Sequence, residues 1–156
     1  MPAARLLRVA RLPAAERARA LEAVVLFHGC RALLWAVPIG RLRPLLGTEG
    51  PLDTTPETTP EAPSVLPAVW GVRKALRRAS RATPDSCLPQ ALAGRLMLRR
   101  RGLPSTLSLG VRHDGEGLQF HAWLRSAGVL VNPGGGPRQY EVLSTFHDDA
   151  AVRRTA

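Results

Sequence analysis

Apolar residues recur at helical spacing through the first third of the chain. In "LPAAERARALEAVVLFHGCRALLWAV", Leu21, Val24, Val25, Phe27 and Leu34 share that period after a start signal at Pro13. The pattern predicts helix within Leu6 to Leu46. Pro38 and Gly40 interrupt it, and a short helix follows over Arg41 to Leu46. Then the apolar positions stop. "TEGPLDTTPETTPEAPS", Thr48 to Ser64, holds four prolines and four acids and no basic residue. It has little to bury and is expected to be a disordered or extended linker. Val65 to Arg81 is helical again, with Val69, Val72 and Leu76 on one side and Arg73, Arg77, Arg78 and Arg81 on much of the rest. For these arginines the simple reading is a solvated face.

"PDSCLPQALAGRLMLRRRG" opens a further helix. Pro89 marks its first turn, because proline is tolerated there and not further in. Its start is left open between Asp85, Ser86 and a point after Leu88. Gly102 stops it, and Arg99 to Arg101 favour the helix dipole in the last turn. After Gly102 the period changes to two. "STLSLGVRHD" alternates as a strand, "DGEG" is a turn, and "LQFHAWLRSAG" and "VLVNP" form a hairpin around Ala127 and Gly128. Beyond "GGGP" the chain reads as a short helix or strand and then a frayed tail. Helices, linker, helices and then an antiparallel sheet make an α+β fold. The expected divisions are 1–47, an N-terminal helical region; 48–64, a linker; and 65–156, a domain with a Cys-bearing helix packed on a small sheet.

Composition alters this picture little. The formal charge is +10, but Lys74 is the only lysine. An arginine-rich chain with 14 Gly and 14 Pro fits a GC-rich coding bias. No recognition motif accompanies the charge, so no nucleic-acid partner is expected. The apolar stretch from Ala23 to Val37 contains His28, Gly29 and Arg31, and is too short and charged for a stable membrane span. With no secretory signal and only Cys30 and Cys87, the expectation is a cytoplasmic protein with free thiols. Scattered histidines lack metal-ligand spacing, so neither metal nor cofactor is expected.

The chemistry therefore centres on Cys87. A thiol at the positive end of a helix is favoured as a thiolate, the nucleophilic form. A histidine must supply the base. Of His28, His113, His121 and His147, only His121 lies inside a strand with apolar neighbours, in "FHAWL". Asn132, on the next strand, is placed to orient the imidazole. Cys, then His, then Asn or Asp is the chain order of papain-like and transglutaminase-like enzymes. The plain readings stay open beside this one: Cys87 as a buried small hydrophobe and His121 as a satisfied core residue. Trp123 is read as a core residue.

The run "CLPQALAG", "LRRRG", "LSLGV", "HAWL", "GVLVN" resembles the transglutaminase-like peptidase of lasso peptide biosynthesis. "LPAAERARALEAVVLF" and "GRLRPLLG" resemble that family's helical leader segment. The resemblance implies a cysteine peptidase that removes the leader from a ribosomal precursor peptide. Its implied partners are the precursor, a small leader-binding recognition-element protein as in split systems, and an ATP-dependent macrolactam cyclase. It also implies Cys87 as nucleophile and His121 as base. The family's usual third member is an Asp, whereas this neighbourhood reads "VNPGGG", leaving Asn132, with Asp148 or Asp149 as distal substitutes. A transglutaminase-like acyltransferase and a non-catalytic Arg-rich binding module are the rival readings.

Overall fold

The computed structural model describes residues 13–52, 63–81, 83, 86–115, 117–132 and 140–148. Helix α1 (Ala14–Ala36) starts at Pro13, whose carbonyl accepts from the N–H groups of Glu16 and Arg17. A 3-10 turn (Ile39–Leu42) and the short α2 (Arg43–Leu46) follow the break predicted at Pro38 and Gly40. Helix α3 (Leu66–Ala79) buries Val69, Val72, Ala75 and Leu76. Helix α4 (Cys87–Arg99) is buried along most of its length, from Gln90 to Arg95 and at Met97 and Leu98.

Five strands form one antiparallel sheet, in the order β1 (Thr48–Gly50), β5 (Glu141–Asp148), β2 (Ser105–Asp114), β3 (Gly117–Ser126), β4 (Val129–Leu130). The hairpin turn between β3 and β4 uses Ala127 (φ 45°) and Gly128 (φ 76°), both in the left-handed region that two-residue hairpins need.

Two segments differ from the sequence reading. Thr48–Gly50 fell within the expected linker, yet it pairs with His147, Phe146 and Thr145 of β5. Strand pairing is a main-chain interaction, so three half-exposed or exposed residues can form it without any hydrophobic signature. The segment that read as a short helix or strand is β5, an interior strand paired on both sides. Residues 53–62 of the expected linker and the tail, 149–156, lie outside the described residues.

A single core joins the helices to the sheet. Phe27 and Cys30 of α1, Leu76 of α3, Leu92 and Met97 of α4, and Leu107, Leu124 and Phe146 of the sheet belong to one buried cluster. The N-terminal helix thus shares its core with the Cys-bearing half. Ion pairs reinforce the contact. Arg101 donates through both terminal nitrogens to Glu22 of α1, at 2.6 and 3.2 Å, and to the Met97 carbonyl. The arginines after α4 therefore tie it to α1 as well as meeting its dipole. Among the described residues, no helix is long and apolar enough to cross a membrane.

Candidate active site

Helix α4 begins at Cys87, with Ser86 as its N-cap residue. The Ser86 hydroxyl donates to the Thr83 carbonyl at 2.9 Å and accepts from Gln90 Nε2 at 2.7 Å. These bonds fix the approach to the helix just before the thiol. Cys87 and Leu88 hold the first main-chain N–H groups of the helix, where a developing negative charge is favoured. Cys87 is partly exposed and packs at the margin of the core. Cys30 is buried, and burial pushes its thiol up to about 11. The two thiols are chemically unequal.

Strand β3 carries His121. Gly94 of α4 sits against it so closely that a Cβ there would come within 2.8 Å of Leu124 Cδ2 and of Leu76 Cδ1. Further along α4, the Arg95 guanidinium reaches the carbonyls of Ser105 and Phe146. The later part of α4 therefore lies towards the start of β2. Cys87 precedes Gly94 by seven residues, ~10 Å at ~1.5 Å per helical residue. His121 precedes Leu124 by three, also ~10 Å at ~3.3 Å per strand residue. The two residues are thus a similar distance from the Gly94–Leu124 contact, each measured along its own element.

Alternation decides which way the ring points. Ala122 and Leu124 belong to the helix-covered core, so His121 and Trp123 emerge on the opposite face. There His121 stacks with Tyr140 at 5.0 Å and with Trp123 at 6.2 Å. Trp123 is only 2% exposed, as expected for a packing residue, but it packs in this ring cluster and not in the main core. Its indole covers Gly110, the register partner of His121, where a Cβ would meet the ring at 2.7 Å. Opposite Gly110, β5 carries an extra residue, Leu143, between the partners of Leu109 and Gly110. This bulge leads back to Tyr140 and brings its ring over the histidine.

Asn132 is 2% exposed and bonds to the main chain of β3. Its Oδ1 accepts the Leu124 N–H at 2.7 Å, and its Nδ2 donates to the Ala122 carbonyl at 2.9 Å. The partners expected of it were the atoms of an imidazole. Here it completes the edge of β3 beyond β4, beside His121. Asp148 is at the wrong end of the sheet to replace it. Its register partner is Ser105, five residues along β2 from the partner of His121, or ~17 Å. Asp149 lies outside the described residues.

The other histidines are elsewhere. His28 is exposed on α1 against Phe27, His113 is exposed at the end of β2, and His147 of β5 has its Nδ1 3.3 Å from Thr106 Oγ1 of β2. Among the described residues no group of three His, Cys, Asp or Glu is placed to hold a metal. Sequence reasoning missed Gln90 and Tyr140. Gln90 carried a signal, being a polar residue in the apolar run after Cys87. Tyr140 carried none, because its place depends on the bulge.

Comparison with protein families matches residues 33–145 to the family described as Transglutaminase-like superfamily. No curated protein and no solved structure gives a significant match. The match covers most of the chain and includes Cys87, His121 and Asn132. The chain belongs to the transglutaminase-like superfamily, and its helices on an antiparallel sheet are the α+β fold of that superfamily.

Proposed function

We propose that this transglutaminase-like protein is a cysteine peptidase that removes the leader from a ribosomal precursor peptide during lasso peptide maturation. The observation that carries the reading is Cys87 at the start of α4, a helix that packs on the strand carrying His121. Superfamily membership supports cysteine chemistry at a carbonyl, and the resemblance of "CLPQALAG" and "HAWL" supports the leader as substrate.

In the proposed reaction the Cys87 sulfur attacks the scissile carbonyl carbon, and His121 holds the thiol proton. The oxyanion forms beside the Cys87 and Leu88 N–H groups. His121 then gives its proton to the leaving amine as the C–N bond breaks, leaving a thioester. Water attacks that thioester, His121 takes a proton from it, and the thiol leaves as the leader carboxylate is released. The reaction requires the ring, which emerges on the face away from α4, and the sulfur to meet across the edge of β3 that Asn132 completes. Asn132 acts here as a positioning residue for that edge.

A leader-binding protein is the proposed partner. Leu21, Val25 and Trp35 of α1 are 65%, 61% and 91% exposed, an apolar face of the kind that partners cover. A partner holding the leader raises its effective concentration at Cys87 without changing the chemistry. Incubating the chain with precursor and partner and weighing the products tests the function. Hydrolysis adds water and gives two free termini, whereas acyl transfer joins an added amine.

A further inference from the structure

A cavity of about 430 Å3 opens along α3, lined by Trp70, Arg73, Lys74, Arg77, Arg78 and Arg81. Their spacing sets all six on one side of the chain as it runs towards Cys87. Solvation of a charged face does not account for the arrangement. Arg73–Arg77 and Lys74–Arg78 are like-charge pairs four residues apart on the helix, and each such pair costs a helix ~0.2–0.5 kcal/mol.

The cations are not equally engaged. Lys74 and Arg78 share the Glu16 carboxylate at 3.1 and 3.3 Å, and those hydrogen bonds hold Glu16 below the usual carboxylate range. Arg73 donates to the Leu130 carbonyl at 2.9 Å and lies 4.9 Å over the Trp70 ring. Among the described residues, Arg77 and Arg81 have no ion pair or side-chain hydrogen bond. Trp70 keeps 51% of its surface in solvent. The cavity thus presents an aromatic surface fixed by one cation and two guanidinium groups without partners among the described residues. Arg81 lies six residues before the thiol.

We infer that this cavity binds an acidic stretch of the peptide substrate, with carboxylates on Arg77 and Arg81 and an apolar side chain against Trp70. The inference rests on the peptidase reading and names a feature of the substrate. Planar guanidinium groups match carboxylates through paired N–H donors. A polynucleotide would call for a series of stacking surfaces along a basic track, whereas this cavity has one aromatic ring.

The test uses the full chain carrying Cys87→Ala, so that binding is read without chemistry. The probe is a short fluorescent peptide with glutamates alternating with small residues around one phenylalanine. Its controls are the same peptide with glutamine for glutamate, and oligothymidylate. The glutamate peptide should bind in a salt-sensitive manner. Arg77→Glu with Arg81→Glu should weaken it by about tenfold or more. Trp70→Ala should also weaken it, whereas Arg41→Glu, at an exposed arginine outside the cavity, should not. Equal binding of the glutamine peptide, unchanged binding by the double variant, or tighter binding of oligothymidylate through the same arginines overturns the proposal. If binding follows expectation but the wild-type chain cleaves no precursor, the peptidase reading fails alone. If cleavage occurs but the double variant binds normally, the cavity proposal fails alone.

Discussion

Asn132 stands beside Leu124 as a strand residue would, accepting its main-chain N–H at 2.7 Å, although the contact comes from a side chain. With the bond to the Ala122 carbonyl, it closes the edge of the strand that carries His121. This gives Asn132 a measurable structural role. Asn132→Ala leaves both main-chain groups without their partner, at ~1–3 kcal/mol for each buried group. Urea unfolding should show a loss of about 2–4 kcal/mol. A variant as stable as wild type but inactive would place Asn132 on the imidazole instead.

The two thiols should separate on alkylation. Iodoacetamide on the native chain at neutral pH should label Cys87 well before Cys30, which is buried and held as a thiol. Peptide mapping by mass spectrometry reads the order. Preferential labelling of Cys30 would contradict the assignment of the nucleophile.

Cys30 also predicts a pH dependence of stability. Its folded value of about 11 lies above the ordinary thiol value near 9, so the folded state holds the proton more tightly. That stabilisation is complete below pH ~9 and is lost as pH rises through ~11, in total ~3 kcal/mol. Unfolding measured across that window should fall less steeply for Cys30→Ala than for wild type. Parallel curves would mean that Cys30 ionises freely in the folded chain.

The apolar face of α1 should matter only with the partner. Leu21→Glu with Trp35→Glu should leave the chain folded, because both side chains are already largely in solvent. Stimulation of cleavage by a leader-binding protein should drop by about tenfold or more. Cleavage rates with and without the partner, over a range of precursor concentrations, check this. Undiminished stimulation would move the docking surface elsewhere.

Much of the fold could be read because its signals are local. The breaks at Pro38 and Gly40, Pro89 in the first turn of α4, and the alternation of "STLSLGVRHD" each depend on residues close in sequence. Strand β1 could not be read, since its three residues are held by the main chain of β5, almost a hundred positions away. The site divided along the same line. Cys87 was legible from its helix start and His121 from its strand. The packing of α4 on β3 depends on Gly94 meeting Leu124, and the ring cluster on a bulge at Leu143. The bonds of Asn132 were illegible for another reason: an asparagine after a strand suits a ring-orienting residue and a main-chain clamp equally well.

The central claim is that Cys87 and His121 act together on a peptide carbonyl. The direct measurement is precursor cleavage by mass spectrometry, with the partner present, for wild type, Cys87→Ala, His121→Ala and Cys30→Ser, each first shown to be folded by circular dichroism. The account predicts free leader and core from wild type and Cys30→Ser. It predicts a loss of about a thousandfold or more for Cys87→Ala and for His121→Ala. Leader release by folded Cys87→Ala at the wild-type rate would contradict it.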